Sequence, residues 1–254
     1  MKAIVRETYG PPDVLRLDDV PVPTNDDAGV LVRVHAASAN AGDWHLLRGT
    51  PLPFRLIAGL HRPKFKIIGN DIAGTAEAVG RNVTQFKPGD EVFGEVSRCG
   101  FGAYAEYVVA RESALAPKPA GLSFEEAASV PTSGCTALQG LRKGKIQSAK
   151  KVLIHVLDYA QVDFANSGQK FDRILAVNGD RSIWDYRRAL TPTGRYVMSG
   201  GSNRQLLEAL FLGPLLSIGG QKLGNLLARP NQSDLLVLKD LVEAGKVRPV
   251  IERC

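Results

Sequence analysis

The 254-residue sequence has only three cysteines, Cys99, Cys135 and Cys254. They are scattered, odd in number and nowhere spaced C-x-x-C, which excludes a disulfide framework and a metal knuckle and fits a reducing, cytoplasmic location. Long apolar runs are also lacking. The most apolar stretch, from Ala209 to Gly220, is too short for the ~20 residues of a membrane span and is broken by Gly213 and Pro214. It reads as a buried segment with no transmembrane role, a peripheral membrane contact being the lesser alternative. The N-terminus carries charges and a turn where a signal peptide needs an apolar core, so no export is expected.

Acidic residues are outnumbered, 26 against 32 basic, giving a net charge of +6 and a pI near 9.3. That balance suits an anionic partner such as a phosphorylated cofactor or a nucleic acid. The clusters His61–Lys66 and Arg142–Lys151 are set in no recognisable reader fold, so no nucleic acid is expected. The remaining composition, 44% hydrophobic and 23% charged with 26 Gly and 15 Pro, is that of an ordinary globular chain able to bury a core.

The first half reads as β structure. Val30–Ala36 alternates and is β-branched, Ile67–Val79 is a long apolar stretch, and Ala103–Val109 is aromatic and β-branched. Lys87-Pro88-Gly89-Asp90 is a turn before a strand at Glu91–Phe93, and Gly69, Gly74 and Gly80 read as bulge and corner residues. Short strands separated by turns suggest a barrel. Near residue 122 the pattern changes. Ser123-Phe124-Glu125-Glu126 is a capping box, Pro131 interrupts the helical pattern, and a second helix is expected from Thr132 to Leu141. Strands follow at Val152–Ile154 and Ile174–Val177, a helix at Ser182–Leu190, and a strand at Tyr196–Met198. A last helix capped by Ser233 stops at Gly245, before a short strand at Val250–Ile251. The expected domains are 1–122 and 123–254.

An α/β half of this kind binds a dinucleotide where a glycine-rich turn follows its first strand, because only glycine lets the backbone N–H groups reach the diphosphate. After Val152-Leu153-Ile154 comes His155-Val156-Leu157-Asp158-Tyr159, and no glycine appears before Gly168. The segment to the next strand has room for one crossover, not two.

MKAIV with YGPPDVL, VRVHAASANAGDWHLLRG, IIGNDIAGTAEAVGRNVTQFKPGDEVFG, GAYAEYVV, AASVPTSGCTAL, FDRILAVNG and LTPTGRYVMSGG occur in that order. In these segments the chain resembles the quinone oxidoreductase (zeta-crystallin-like) branch of the zinc-independent medium-chain dehydrogenase/reductases. The resemblance implies an α/β plus β fold: a GroES-like β-barrel domain followed by a shortened Rossmann-like parallel-sheet domain. It implies NADPH as cofactor, hydride transfer to a quinone or enone, and no metal. Asn40 and Asn70-Asp71 stand where zinc-using relatives would present Cys and His-Glu. By the same resemblance Asn40 and Asp43 form the catalytic pair beside nicotinamide and substrate. Thr136 contacts the nicotinamide, and Asn178, Gly179, Gly200 and Gly201 border its carboxamide. Each has a plainer alternative: Asn40 and Asp43 capping a turn, Thr136 lining a helix, the glycines ending strands.

The resemblance breaks after Ile154, where the glycine turn and a βαβ unit of about 30 residues are missing, and again at Cys254, ahead of an expected closing helix and strand. A sheet cut in this way would expose an edge and invite a homodimer unless Val152–Tyr159 forms one continuous strand. Two functions compete: an oxidoreductase with impaired NADPH binding, and a non-catalytic remnant serving as a small-molecule or protein binding module.

Overall fold

The computed structural model describes residues 1–146, 151–155, 164, 166–179, 181–217 and 219–251. It divides into two compact units, residues 1–135 with 230–254 and residues 136–229. In the first, β1 (Lys2–Val5) pairs antiparallel with β2 (Arg16–Asp19). Strand β3 (Gly29–Ser38) leads into helix α1 (Ala41–Arg48), followed by the short helix α2 (Arg55–Ala58). Strands β4 (Asp71–Val79), β5 (Glu91–Glu95), β6 (Tyr107–Arg111) and β7 (Leu115–Pro117) complete an antiparallel sheet ordered β6-β3-β4-β5-β7. Its apolar side chains, among them Val30, Val32, Ile72, Val92, Val108 and Leu115, close over one core. Each such burial contributes about 1.5–3 kcal/mol.

Gly74 shows why the barrel needs glycine: a Cβ there would lie 2.1 Å from the Arg33 carbonyl oxygen on β3, close to the point where the β3–β4 register shifts. Arg6 is wholly buried just after β1. Its guanidinium donates to the carbonyls of Leu46, Leu47 (3.0 Å) and Phe65 (3.3 Å), tying the first strand to α1 and to the segment before β4.

Helix α3 (Phe124–Ala128) starts at the capping box read from the sequence, with Ser123 Oγ accepting from the Glu126 N–H at 3.1 Å. Helix α4 (Pro131–Gly144) is the second helix expected from Thr132, and Pro131, which separates it from α3, stands at its first position. A proline costs nothing at a first-turn position whose N–H has no intrahelical acceptor. The boundary between the two compact units falls within α4. The physical reason is that α3 packs on β3 and β4.

The second unit holds β8 (Val152–His155), β9 (Phe171–Val177), α5 (Ile183–Ala189), β10 (Leu190–Ser199), α6 (Asn203–Leu207), a π-helical turn at Glu208–Leu212, α7 (Gly213–Leu216) and β11 (Lys222–Asn225). Its sheet is parallel and ordered β11-β10-β9-β8. In the doubly wound order 3-2-1-4-5-6 this run corresponds to 1-4-5-6, and the described residues supply no strand in positions 2 and 3. The continuous strand expected over Val152–Tyr159 is present from Val152 to His155, and its remainder lies outside the described residues.

Three expectations are corrected. The segment from Ala209 is not simply buried: Ala209 and Gly213 face the core, whereas Leu210, Phe211 and Leu215 are exposed. Helical periodicity lets only one stripe face inward. Near the C-terminus α8 (Gln232–Glu243) belongs to the first unit, and its cap is Asn231, whose side chain accepts from the Asp234 N–H at 3.0 Å, in place of Ser233. Val250–Ile251 forms no strand, since it has no ladder partner among the described residues. Among the described residues no helix is long and apolar enough to cross a membrane.

Candidate functional site

The strongest concentration of buried polar groups lies where β3 ends, α1 begins and β4 starts. Asn40 caps α1, and its backbone N–H donates to the Asp43 carboxylate at 2.8 Å. The capping alternative is therefore realised, in a place that also presents both side chains to a buried polar cluster. Asp43 is almost fully buried, with the Tyr104 hydroxyl and the Gly69 N–H facing its carboxylate, and burial raises its pKa.

Asp71, at the first position of β4, is 0% exposed. Four donors reach its carboxylate: Thr132 N–H (2.9 Å), Thr132 Oγ1 (2.7 Å), Asn40 Nδ2 (3.2 Å) and Ser38 Oγ (3.4 Å). Burial, with the nearby Glu95 carboxylate, outweighs those bonds and pushes its pKa up to about 7. Burial raises Glu95 and Tyr104 as well. Asn70 is buried beside this cluster, and its Oδ1 has no hydrogen-bond partner among the described residues.

These shifts set a pH dependence. Asp71 holds its proton more tightly in the fold than in the unfolded chain, so between 3.8 and about 7 the native state carries the extra proton and stability falls as pH rises. Asp43 and Glu95 act with the same sign. From pH 5 to pH 8 the Asp71 contribution alone amounts to about 2.5 kcal/mol. Urea midpoints at the two pH values are expected to fall for the native sequence and to fall far less for Asp71→Asn. An equal fall in both would contradict the assignment.

A second concentration lies in the other unit, at the C-terminal ends of the adjacent strands β9 and β10. Here an open parallel sheet binds its ligands. Asn178 has φ +53° and its N–H donates to the Ser199 carbonyl at 2.9 Å, while Gly200 and Gly201 have φ +70° and +127°. A Cβ on Gly200 would lie 2.6 Å from Asn178 Oδ1, and one on Gly201 would lie 2.8 Å from the Gly179 carbonyl. Four of the sequence-derived residues thus form one turn cluster. Beneath it Gln205 donates to Tyr196 Oη at 2.9 Å, and its Oε1 is a buried acceptor without a partner among the described residues.

At Gly179 a Cβ would sit 2.3 Å from Tyr186 Oη, as close as one on Gly201 would come to Gln205 Oε1. Gly179→Ala is expected to destabilise the unit by about 1–3 kcal/mol. Gly224→Ala on β11, with nothing within 4 Å, should lower the melting temperature much less. Equal losses would contradict the packing.

Thr136 lies on α4 one turn after Thr132, half-buried and in the second unit. The family resemblance points to Asn40 and Asp43 but misses Ser38, Tyr104, Glu95 and Thr132, and treats Asp71 only as a replaced metal ligand. A carboxylate inside the apolar run IIGNDIAG was the available signal, because charged residues are almost never fully buried unless paired. Among the described residues no three His, Cys, Asp or Glu side chains group as metal ligands.

The fit to a dinucleotide is uneven. Asn178, Gly200 and Gly201, exposed in the positive-φ turns after β9 and β10, lie at the sheet's C-terminal end, where a nicotinamide carboxamide would be held. No described residue supplies a glycine turn after β8 or a strand in positions 2 and 3, where the diphosphate and adenosine would rest. Among the described residues, then, the nicotinamide side has a counterpart and the diphosphate side has none.

Known proteins agree with this architecture. Residues 26–120 match the alcohol dehydrogenase GroES-like domain, and residues 153–254 match the zinc-binding dehydrogenase domain. The 2-methylene-furan-3-one reductase of Solanum lycopersicum is 31% identical over 217 residues, covering 74% of this chain and 53% of the reductase. This chain thus spans about half the length of that relative. The chloroplast envelope quinone oxidoreductase homolog of Arabidopsis thaliana is 28% identical over 284 aligned positions, covering 92% of this chain and 84% of the relative. That alignment is longer than the chain itself, so the relative carries internal residues that this chain lacks. The structure of a quinone oxidoreductase from Coxiella burnetii superposes with a TM-score of 0.84 at 26% identity, over 100% of this chain and 90% of the other. With its GroES-like barrel and Rossmann-like parallel sheet, this chain belongs to the medium-chain dehydrogenase/reductases, a family of NAD(P)H-dependent oxidoreductases, in the quinone oxidoreductase branch.

Proposed function

We propose that this chain is a zinc-independent, NADPH-type quinone or enone oxidoreductase by family whose diphosphate site is incomplete, so that its hydride-transfer activity is impaired. One observation carries this reading: the sequence after β8 runs without glycine from Ile154 to Gly168, on the strand that ends the described parallel sheet. The acceptor class follows relatives named for a furan-3-one and for quinones. Zinc independence is supported by Asn40, Asn70 and Asp71 standing where Cys and His would be needed. Asn40 and Asp43 are assigned to the acceptor side, and Thr136, Asn178, Gly179, Gly200 and Gly201 to the nicotinamide side. A small-molecule acceptor, a homodimer and a cytoplasmic location complete the reading.

The second reading, a binding module without catalysis, is favoured by the internal shortfall against the Arabidopsis relative. Fluorescence titration with NADPH, alongside NADPH oxidation in the presence of a soluble quinone, separates the two. Weak binding with slow turnover supports the impaired oxidoreductase, and binding of quinone with no NADPH response supports the module. Micromolar NADPH binding would overturn both.

A further inference from the structure

We propose that Asp71 and Ser38 fix the side-chain amide of Asn40 so that it meets a ligand only as a hydrogen-bond acceptor, making this corner selective for a ligand edge that donates. An Asn amide has two N–H donors and one carbonyl oxygen, and here both hydrogens are committed. Nδ2 donates to Ser38 Oγ at 3.1 Å and to Asp71 Oδ2 at 3.2 Å. Ser38 Oγ in turn donates to Asp71 Oδ2 at 3.4 Å, so its lone pairs receive from Asn40. The triangle has a single sense. While Asp71 is ionised, reversing the amide would set Asn40 Oδ1 against a carboxylate oxygen that only accepts, placing two acceptors in contact in a buried site.

Thr132 holds the other end of this arrangement with its N–H and its hydroxyl, so the Asp71 carboxylate cannot turn away. The titratable groups facing Asp71 are Glu95 on β5, Tyr104 ahead of β6 and Cys135 on α4, and Asp43 on α1 faces Tyr104 and Glu95. None of these would supply a positive charge to replace the Asn40 donor bonds. Asn40 is half-buried, and its Oδ1, which faces the Asp43 N–H in the capping box of α1, keeps a second lone pair for a ligand. Asn40 therefore cannot donate to negative charge developing on an acceptor carbonyl. It selects an N–H or O–H, as on a carboxamide or a hydroquinone. Asp71 is a positioning residue acting through Asn40.

The ligand consequence rests on the proposed placement of Asn40 beside the acceptor and nicotinamide, whereas the test reads Asn40 directly and needs no dinucleotide binding. In protein labelled with 15N-asparagine, the Asn40 side-chain NH2 pair is identified by its loss in Asn40→Ala. The pair is expected to shift with a midpoint near 7 as Asp71 titrates, and the shift should vanish in Asp71→Asn. A pair that stays still between pH 5.5 and 8.5, or that titrates equally in Asp71→Asn, overturns the proposal. Should Asp71→Asn fail to fold, Ser38→Ala is read instead: one Asn40 amide proton is expected to exchange faster with water, and unchanged exchange overturns the triangle. Nicotinamide should perturb the pair and N,N-dimethylnicotinamide, which has no N–H, should not. Equal shifts from both, or none from either, overturn the selectivity.

Discussion

NADPH titrated into the purified chain is expected to give no saturation below roughly millimolar concentration. Hydrogen bonds to charged groups contribute about 1.5–3 kcal/mol each, so the loss of two or three diphosphate donors weakens binding by about 3–9 kcal/mol. At about 1.4 kcal/mol per tenfold, a micromolar site moves to millimolar or beyond. Lysine and arginine side chains nearby compensate poorly, because a mobile ammonium lacks the directed N–H array of a helix start. The comparison that isolates the cause is reduced nicotinamide mononucleotide, which has no adenosine diphosphate. If the diphosphate and adenosine are unheld, the two ligands should bind within a few-fold of each other. NADPH binding a hundredfold tighter than the mononucleotide would mean that some other part of the chain holds the diphosphate.

Arg6→Met is expected to be the most destabilising single substitution in the barrel unit. The Arg6 side chain is fully buried and donates to three backbone carbonyls, those of Leu46, Leu47 and Phe65. Methionine fills much of the volume and supplies none of the donors. A buried acceptor left unsatisfied costs about 1–3 kcal/mol, so the combined loss should reach about 3–5 kcal/mol. Burial also lowers the Arg6 pKa from its ordinary value, because desolvation disfavours the charged form. Lys66→Met offers the contrast, because Lys66 pairs with Glu7 at 3.1 Å with both side chains exposed, and such pairs contribute at most about 1 kcal/mol. Urea denaturation of the two variants should give midpoints far apart. Equal midpoints would show that the Arg6 bonds carry no stability.

The elements legible in the sequence were those fixed by local chemistry. Ser123 with Glu126 marked the start of α3, Lys87-Pro88-Gly89-Asp90 marked the turn before β5, and Gly245, with φ +67°, closed the turn after α8. Where two residues competed for one role the outcome went the other way. Asn231 took the cap of α8 in place of Ser233. Amphipathic stretches were harder, since Leu210, Phe211 and Leu215 differ from Ala209 and Gly213 only in which side of a helical turn they occupy.

The candidate site divides in the same way. Asn40 and Asp43 stand three positions apart and meet through a local cap, and Asn178-Gly179 and Gly200-Gly201 end adjacent parallel strands, so short motifs carried by the family resemblance reached them. Asp71 lies 61 residues from Thr132 and 31 from Asn40, and its role depends on three segments converging on one buried carboxylate.

By itself the sequence determined the strand and helix periodicity, the family's motifs and the missing glycine turn, because each is written in consecutive or evenly spaced residues. Only the tertiary structure decided that Asp71 is buried under four donors, that Asn40 has no hydrogen left to give, and that β8 stands at the end of the described sheet. Burial and hydrogen-bond saturation depend on what neighbouring segments bring to a point, and no local pattern encodes that sum.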